Sequence, residues 1–569
     1  MNTETSAGQI STGMYLIKLL AAYGVDTVFG IPGVHTIELY RGLAGSGIRH
    51  VTPRHEQGAG FMADGYARAS GKPGVCLIIS GPGMTNILTP MGQAYGDSVP
   101  MLVISTVNAH GRMGSGAGWL HELPNQQALV AGVAAFSRTI HRAEELPGAL
   151  AEAFAVFDSA RPRPVHLELP IDVMLAPAGH LTVPEAPART TRPGPDPQLL
   201  EQATMLLAGA RSPVILAGGG ALSATSLPAL AEALDAPVVM STNARGILPP
   251  GHPLAVTLSA SMPETRALIA DADVVLAIGT EMGPTDYDMY EDGGLAIPGA
   301  LIRADIDPAQ AQRGWPPTLA LIGCAALTAQ ALHAAITPSA PRQGTERAAQ
   351  AQTGLASLDP AIRGDLALLA RVRETLTDAL IVGDSTQAVY AGNLGFASSR
   401  PGGYFNSATG FGTLGYGLPA AIGAALAEGK PVVALIGDGG VQFTLAELTS
   451  AIEAGVQVIM LLYDNQGYGE IKSEMKRLNV PALGVDILTP DLPAIARACG
   501  WSVATAATPA QLTTVIAEAS DSDGCLLVHY SDDLRVAFQK ALCCALAPSG
   551  LRDFFKNDTV LIDRPPKPV

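Results

Sequence analysis

Two short polar motifs directly follow apolar runs in the last third of the chain. A Gly-Asp-Gly motif centred on Asp438 comes after one run, and an Asp-Asn pair ending at Asn465 comes after the next, 27 positions further on. Both runs are typical of buried parallel strands, whose carboxyl ends meet at one edge of a sheet. A carboxylate and an amide oxygen arriving there, with a carbonyl oxygen turned inward at Gly467, would suit a hard cation, Mg²⁺ or Ca²⁺.

The glycines beside Asp438 indicate what this cation would hold. Gly439 and Gly440 leave backbone N–H groups uncovered at the start of a predicted helix, and a helix N-terminus favours an anion. Mg²⁺ usually keeps several coordination positions for water and substrate phosphates. A metal-bridged diphosphate satisfies both observations. A strand-to-helix turn capped by the aspartate is the alternative interpretation, and the second motif at this distance favours a binding site.

Apolar runs alternate with Ala-rich helical stretches along the whole chain. Continuous Val/Ile/Leu runs of this kind are typical of parallel strands that are covered on both faces. A Pro-rich stretch at 176–198 and a polar one at 337–354 separate three segments. The sequence therefore predicts an α/β fold of three consecutive doubly wound parallel-sheet domains. We expect these domains at 1–175, 190–336 and 355–545, with a tail at 546–569.

The composition argues against several classes of function. Of 569 residues 48% are hydrophobic and 15% are charged, yet no apolar stretch reaches the roughly 18 residues that a membrane span needs. The net charge of -16 argues against nucleic acid or an anionic membrane as the main partner. The six cysteines show no metal-ligand spacing, and the N-terminus shows no secretory signal. We therefore expect a soluble cytoplasmic protein.

The Gly-Asp-Gly motif with its following Asn resembles the thiamine-diphosphate signature, and the order of three α/β domains resembles the acetolactate synthase and 2-oxo-acid decarboxylase superfamily. This resemblance spans nearly the whole chain and implies thiamine diphosphate and Mg²⁺ as cofactors. The blocks similar to that superfamily are "GVDTVFGIPG" (24–33), "RHEQGAGFMADGYARASGKPGV" (54–75), "SGPGMTN" (80–86), "RPVHLELPIDV" (163–173), "DIDP" (305–308) and "GFGTLGYGLPAAIGA" (410–424).

The resemblance also implies roles for individual residues. Glu56 matches the acid that hydrogen-bonds the aminopyrimidine ring of the cofactor and activates it, although a first-turn glutamate that favours the helix dipole is the alternative. Such enzymes join the domains of Glu56 and Asp438 across subunits, which implies a homodimer or homotetramer. Leu414 matches the bulky residue that keeps the cofactor bent. The implied cofactor contacts are Asp384, Ser385, Thr386, Gly412, Leu414, Gly437, Asp438, Gly439, Gly440, Asn465 and Tyr468, with Asp438, Asn465 and Gly467 as metal ligands.

The implied reaction is the non-oxidative decarboxylation of a 2-oxo acid to an aldehyde. The cofactor would accept the electrons left behind by CO₂, and His121, His110 or a cofactor nitrogen would deliver the proton. Acetolactate synthases carry a Phe-Gln pair where this chain has Leu120 and His121. Their flavin-binding cluster of arginine and aspartate is replaced by "GTEMGPTDY" (279–287), so we expect no requirement for FAD.

Three carboxylates suggest that the substrate has a cationic tail. Glu470 and Glu474 follow the metal motif, and Glu122 follows His121; such groups pair with a guanidinium through directional bonds. The surrounding patterns "NQGYGEIKSEM" and "GWLHELPNQQ" most resemble 5-guanidino-2-oxopentanoate decarboxylases, which implies 4-guanidinobutanal as the product. A solvated helix face is the alternative interpretation of these glutamates.

Two other functions stay open from the sequence. A carboligase would join the same thiamine-bound fragment to a second carbonyl compound. A non-catalytic subunit is the third reading, against which the presence of Glu56, Asp438 and Asn465 argues. The C-terminal stretch 553–569, apolar and then Pro-rich, is expected either to cover the site as a lid or to be disordered.

Overall fold

A computed structural model describes residues 10–338, 341–545 and 562–563 of the protein. Within these residues, the strands form three sheets of six strands each, and every strand pairing in them is parallel. The predicted α/β fold with three successive parallel sheets is therefore confirmed. In the described ranges, no helix has the length and apolar character that a membrane crossing requires.

The first sheet is formed by the N-terminal part of the chain. Its elements are α1 (Thr12–Ala22), β1 (Thr27–Gly30), α2 (Ile37–Leu43), β2 (Arg49–Val51), α3 (Glu56–Ser70), β3 (Gly74–Ile78), α4 (Pro82–Gly96), β4 (Met101–Val107), α5 (Gln126–Val130), β5 (Phe136–Thr139), α6 (Leu146–Ser159), β6 (Val165–Pro170) and α7 (Ile171–Leu175). The strand order is β2-β1-β3-β4-β6-β5. Every residue of β3 and β4 is buried, because helices cover both faces of these central strands.

The second sheet is built in the same way. Its elements are α8 (Pro197–Gly209), β7 (Val214–Ala217), α9 (Leu227–Leu234), β8 (Val238–Met240), β9 (Ala255–Val256), α10 (Pro263–Ala270), β10 (Val274–Ile278), α11 (Pro284–Tyr287), β11 (Ala300–Asp305), β12 (Leu319–Ile322) and α12 (Ala325–Ala335). The strand order is β12-β11-β10-β7-β8-β9. Successive residues of β7 enter different cores, Ile215 on one face and Val214 with Leu216 on the other. This alternation explains why the strand is apolar at every position.

The third sheet carries both polar motifs. Its elements are α13 (Gly344–Gln352), α14 (Gly354–Ser357), α15 (Pro360–Thr375), β13 (Leu380–Gly383), α16 (Gln387–Gly395), β14 (Tyr404–Asn406), α17 (Gly417–Glu428), β15 (Val432–Gly437), α18 (Asp438–Val441), α19 (Glu447–Glu453), β16 (Val458–Tyr463), α20 (Gly469–Arg477), α21 (Leu492–Ala498), β17 (Ser502–Thr505), α22 (Pro509–Ser520), β18 (Leu526–Tyr530) and α23 (Asp532–Ala545). The strand order is β14-β13-β15-β16-β18-β17, so β15 and β16 lie side by side at its centre.

The two stretches predicted to be linkers differ from each other in structure. Residues 178–196 contain no helix or strand, as expected. Part of 337–354 instead forms α13, because Ala348 and Ala351 recur at helical spacing and bury in the core on one face of the second sheet. The tail at 546–569, including the expected lid at 553–569, lies outside the described residues except for 562–563, where Asp563 forms an isolated bridge with Val503.

The chain divides into two compact units. Among the described residues, one unit contains 10–191 together with 418–429 and 444–456, and the other contains the rest of the described chain. In the first unit, α3 and α17 approach so closely that glycine is required at their contact. A Cβ atom on Gly65 would lie 2.0 Å from the carbonyl oxygen of Ala420, and one on Gly423 would lie 1.8 Å from that of Met62.

Gly423→Ala is therefore expected to destabilise the protein by about 3 kcal/mol, because the added methyl group must push the two helices apart. The apparent midpoint of thermal unfolding should fall by several degrees. Gly148→Ala is the matched control, since Gly148 is exposed in α6 and a Cβ there would contact nothing within 4 Å. This control should leave the midpoint unchanged or raise it through helix propensity. Equal changes in both variants would contradict the close contact of α3 with α17.

Candidate active site

The carboxyl edge of the third sheet brings the two polar motifs together. Strands β15 and β16 pair in parallel, with Gly437 opposite Tyr463 at their ends. Asp438 is the next residue after β15, and Asn465 comes two residues after β16. The structure thus places these two side chains next to each other at the position where open α/β sheets bind ligands.

The carboxylate of Asp438 is buried, with 1% of the residue exposed. Its Oδ2 atom accepts hydrogen bonds from Thr489 Oγ1 at 2.6 Å and from the backbone N–H of Gly467 at 3.1 Å. Burial raises the pKa of Asp438, and the hydrogen bond from Thr489 opposes this rise. Thr489 lies in a loop 51 positions away, where no sequence pattern marks it as part of the site.

Two further oxygen atoms lie close to this carboxylate. The side-chain oxygen of Asn465 lies 3.0 Å from Oδ1 of Asp438 and 2.7 Å from the carbonyl oxygen of Gly467. Oxygen atoms at such distances repel one another unless a cation lies among them; a reversed Asn465 amide would instead donate hydrogen bonds to both neighbours. One carboxylate, one amide and one carbonyl oxygen fit a hard divalent cation. In the described ranges, no three His, Cys, Asp or Glu side chains gather as a metal site, so a cation here would depend on the amide and carbonyl oxygens as well.

The glycines after the first motif make room for neighbouring groups. A Cβ atom on Gly439 would lie 2.8 Å from the ring of Tyr468, and one on Gly440 would lie 3.0 Å from Oδ1 of Asp384. The expected long helix after these glycines is instead two helices, since α18 ends at Val441 and α19 begins at Glu447. Anion binding here would depend on individual N–H groups of this turn more than on a long helix dipole.

Asp384 holds the backbone turn that follows Leu414. Its Oδ1 atom accepts from the N–H groups of Ser385 at 2.8 Å and Gly415 at 3.3 Å, and its Oδ2 atom accepts from that of Gly417 at 2.9 Å. Burial raises the pKa of Asp384 to about 6, although these backbone hydrogen bonds oppose the rise. Because both oxygens accept backbone N–H groups, the side chain fixes the turn after Leu414, and its predicted contact with the cofactor stays a prediction.

Ser385, Thr386 and Gly437, three further predicted cofactor contacts, lie at the ends of β13 and β15, and Gly412 lies in the loop after β14. Ser385 Oγ lies 3.4 Å from Ser407 Oγ, and a Cβ atom on Gly437 would lie 3.3 Å from Thr386 Oγ1. Gly412 has a φ of 74°, in the left-handed region that favours glycine. The two hydroxyl groups are thus available at the same sheet edge as Asp438.

Glu56 is the first residue of α3 and is buried, with 9% exposed. Its Oε2 atom accepts a hydrogen bond from the side-chain amide of Asn86 at 2.9 Å. A Cβ atom on Gly83 would lie 3.3 Å from Oε1, so the start of α4 passes close to this carboxylate. Asn86 was not among the predicted site residues, although it ends one of the resembling blocks.

Glu447 holds the backbone that leads into Glu56. It is buried and accepts hydrogen bonds from the N–H groups of Arg54 at 3.0 Å and His55 at 3.1 Å. Ser450 Oγ donates to its other oxygen at 2.6 Å. Burial raises the pKa of Glu447, while these bonds oppose the rise. Glu447 was not among the predicted site residues, and Glu453 on the same helix leaves no sequence signal that singles it out.

The loop before His121 is organised by Glu122. Its Oε1 atom accepts hydrogen bonds from the hydroxyl of Ser115 at 2.8 Å and the N–H of Gly116 at 2.7 Å. Its Oε2 atom accepts from the N–H groups of Gly118 at 2.9 Å and Trp119 at 3.0 Å. These bonds, that from Ser115 foremost, lower the pKa of Glu122. The side chain thus shapes the loop that carries His121, and its predicted contact with substrate stays a prediction.

His110 belongs to a short polar chain. Its Nδ1 atom lies 2.9 Å from Oδ2 of Asp172, and its Nε2 atom lies 3.0 Å from Nδ1 of His141. From the sequence, His110 and His121 were named as candidates, and His141 was not identified. The second ring, 31 positions further along the chain, comes from the loop after β5 and could only be found from the fold.

The two carboxylates after the metal motif lie on α20, which has no buried residue. Glu474 pairs with Arg477, whose Nε lies 2.8 Å from Oε2. Oε2 of Glu470 accepts a hydrogen bond from the side-chain amide of Gln387 at 2.7 Å. No arginine, lysine or histidine in the described part of the chain forms an ion pair with Glu470.

Models of one protein family match all three parts of the chain. They are the N-terminal TPP binding domain of thiamine pyrophosphate enzymes over 10–129, the central domain over 200–332 and the C-terminal TPP binding domain over 383–530. Thiamine pyrophosphate is another name for thiamine diphosphate. The matches fall on the three parallel sheets in the same order.

Known proteins resemble the chain over most of its length. It is 47% identical to a probable 2-ketoarginine decarboxylase of Pseudomonas aeruginosa over 506 residues, which are 87% of this chain and 89% of that protein. It is 30% identical to the large subunit of acetolactate synthase isozyme 1 of Escherichia coli, over 83% of this chain and 84% of the relative. The acetolactate synthase large subunit of Corynebacterium glutamicum is 32% identical, over 80% and 75% respectively. The chain therefore belongs to the thiamine pyrophosphate enzyme family.

Proposed function

We propose that the protein is a thiamine-diphosphate- and Mg²⁺-dependent decarboxylase that converts 5-guanidino-2-oxopentanoate to 4-guanidinobutanal and CO₂. The observation that carries this proposal is the 47% identity to a probable 2-ketoarginine decarboxylase over 87% of the chain. The substrate named there is the same compound under another name. The presence of Glu56, Asp438 and Asn465 in this chain also supports a catalytic protein over a non-catalytic subunit.

The convergent oxygens of Asp438, Asn465 and Gly467 support a role in holding Mg²⁺ against the diphosphate. Glu56, held by Asn86, would be the acid that meets the aminopyrimidine ring. When bound, the cofactor supplies the electron sink that lets CO₂ leave a 2-oxo acid. The protein would supply orientation, charge and exclusion of water around the reacting carbon.

Glu470 is the carboxylate best suited to the guanidinium tail. It lies in the first turn of α20, five residues after Asn465, and none of the described cations pairs with it. Glu474 is already paired with Arg477, and both oxygens of Glu122 are engaged by their own loop. A planar guanidinium offers the paired donors that a carboxylate accepts.

We infer further that the protein is a cytoplasmic homo-oligomer, a dimer or tetramer with its active sites at the subunit interface, and that it acts in the breakdown of arginine. A second candidate activity is carboligation, in which the fragment left after decarboxylation joins another carbonyl compound. The identities of 30% and 32% to acetolactate synthases favour keeping this alternative. The two activities differ in product, since one releases an aldehyde and the other a hydroxyketone or hydroxy-oxo acid.

The proposed reaction can be tested with a panel of 2-oxo acids. Purified protein with thiamine diphosphate and Mg²⁺ is incubated with 5-guanidino-2-oxopentanoate, pyruvate, benzoylformate and a branched-chain acid. We expect CO₂ and aldehyde in equal amounts, with the highest kcat/KM for the guanidino acid. A hydroxyketone or hydroxy-oxo acid as the main product would favour carboligation. No product from any acid would contradict the proposed function.

The role of Glu470 in binding the tail can be tested by substitution. Glu470→Gln should raise KM for the guanidino acid about tenfold, because a charge-assisted hydrogen bond is lost. KM for 2-oxohexanoate, which has no charged tail, should not change. Glu474→Gln on the same helix is the matched control and should change neither value. A similar rise in KM for both substrates would show that Glu470 does not recognise the guanidinium.

Glu447 should act on the reaction through the position of Glu56. Glu447→Ala leaves the N–H groups of Arg54 and His55 without acceptors, so we expect kcat to fall about 100-fold as Glu56 shifts by a fraction of an ångström or more. Glu447→Gln should retain most activity, because its amide oxygen can accept from both N–H groups while its NH₂ donates to Ser450. Steady-state kinetics and calorimetric binding of thiamine diphosphate would measure both effects.

Glu56→Gln provides the reference for these variants, since it should lose turnover while still binding the cofactor. Thermal unfolding would show whether Glu447→Ala remains folded. Equal losses in Glu447→Ala and Glu447→Gln would mean that the charge of Glu447, rather than its hydrogen bonds, is what matters. Full turnover in Glu447→Ala would contradict the positioning role.

A further inference from the structure

His121 occupies a constrained position beside the turn at 81–83. Its φ is 60°, in the left-handed region, which is uncommon for a residue with a side chain. A Cβ atom on Gly81 would lie 2.7 Å from the carbonyl oxygen of His121 and 2.9 Å from its Cβ. At the other end of the turn, a Cβ atom on Gly83 would lie 3.3 Å from Oε1 of Glu56. His121 and Glu56 thus lie close to opposite ends of the segment from Gly81 to Gly83, where α4 begins.

The Nδ1 atom of His121 indicates which ring nitrogen carries the proton. This atom is buried and has no hydrogen-bond partner among the described residues. A buried N–H without an acceptor is rarer in proteins than an under-satisfied acceptor, because a lone donor is the less tolerable of the two. A cationic ring would place an N–H on both nitrogens and create this same orphan donor. The surroundings therefore favour a neutral ring with its proton on Nε2.

A second imidazole packs against this ring. The ring centroids of His35 and His121 are 5.1 Å apart, with an angle of 67° between the ring planes. Nδ1 of His35 lies 2.7 Å from Oγ of Ser80, the residue before the turn. Burial lowers the pKa of His35. His35 is therefore held in place by Ser80 and presents a neutral edge or face to His121.

The charged groups around the pair are few. Glu56 lies across the turn and is engaged by Asn86, while Glu122 directs both oxygens to the N–H and hydroxyl groups of its own loop. Neither carboxylate forms a hydrogen bond or an ion pair with His35 or His121 in the described part of the chain. Nothing in this arrangement stabilises a positive charge on the His121 ring.

We propose that His121 is a neutral catalytic hydrogen-bond donor, which presents Nε2–H to the keto oxygen of the 2-oxo acid, and that His35 is its positioning residue. This inference rests on the proposed decarboxylation. In that reaction the bond between C1 and C2 of the acid breaks, CO₂ leaves, and a solvent proton forms the new C–H bond at C2. Negative charge on the keto oxygen is met by the N–H of His121, which keeps its proton throughout.

This role makes a different prediction from that of a proton donor. His121→Phe retains a ring but no donor, and we expect kcat to fall about 100-fold or more, as when one donor to a developing oxyanion is removed. His121→Gln retains a neutral N–H donor that cannot transfer a proton, and its kcat should stay within about tenfold of the wild type. KM should change little in either variant. Equal loss in both variants would overturn the proposal, because it is the result expected for a proton donor.

Nitrogen NMR of the holoenzyme with labelled histidine gives a test that needs no active variant. The signals of His121 are assigned by their loss in His121→Gln. At pH 7 we expect the Nε2–H tautomer of a neutral ring. An Nδ1–H tautomer or a doubly protonated ring would overturn the proposal. His333→Gln, at an exposed position in α12, is the matched control and should change neither kcat nor the His121 signals.

The positioning role of His35 is tested by His35→Phe, which keeps an aromatic ring beside His121 but loses the bond to Ser80. We expect kcat to fall about tenfold at unchanged KM, with His121 signals from both tautomers, since the ring is less well fixed. Unchanged kcat with a single tautomer would overturn this part. Absence of aldehyde from every 2-oxo acid with the wild-type enzyme would contradict the proposed function. The NMR measurement would still give the tautomer of His121, so the two failures can be told apart.

Discussion

The burial of one carboxylate together with two further oxygen atoms is the constraint on which the candidate site depends. Asp438 is almost completely buried, and the side-chain oxygen of Asn465 lies within 3.0 Å of it and within 2.7 Å of the carbonyl oxygen of Gly467. A buried negative charge is unfavourable unless a positive partner or several donors compensate it. Thr489 and the N–H of Gly467 donate to Oδ2, while Oδ1 accepts from the backbone N–H of Asn465 at 3.4 Å and lies beside the side-chain oxygen of the same residue. A divalent cation would resolve this arrangement and would supply the means of holding a diphosphate.

Other buried carboxylates near the predicted site residues also accept hydrogen bonds, in these cases from backbone N–H groups of loops. Asp384 fixes the turn after Leu414 by accepting three backbone N–H groups. In the first unit, Glu447 does the same for the residues that precede Glu56. Buried carboxylates are thus used twice to fix a loop, because a carboxylate accepts several hydrogen bonds at once and an irregular backbone offers unpaired donors.

The sequence was most informative where sheet geometry leaves little choice. Neighbouring parallel strands end at the same edge, so two apolar runs with polar ends were enough to predict that Asp438 and Asn465 lie together. The continuous Val/Ile/Leu runs likewise predicted three parallel sheets, which the structure confirms. Chemical type and a fixed topology were sufficient for these features.

Loop contacts could not be predicted in this way. Thr489, His141 and His35 join their neighbours from loops that have no periodic pattern, and only tertiary packing brings them there. The polar stretch at 337–354 was predicted to be a linker, but part of it forms α13. Two alanines at helical spacing let this helix pack on the apolar surface of the second sheet. Predictions of individual roles, such as that of Glu122, depend on such loop contacts. They were therefore less specific than the predictions of the fold.

A crystal structure of the protein with thiamine diphosphate and Mn²⁺ in place of Mg²⁺ would test the central claim most directly, because anomalous scattering locates the ion without reference to activity. We expect one ion within about 2.2 Å of Asp438 Oδ1, the side-chain oxygen of Asn465 and the carbonyl oxygen of Gly467, with diphosphate oxygens completing its coordination. An ion bound elsewhere, or an Asn465 amide nitrogen turned towards Gly467 with cofactor present, would contradict the account.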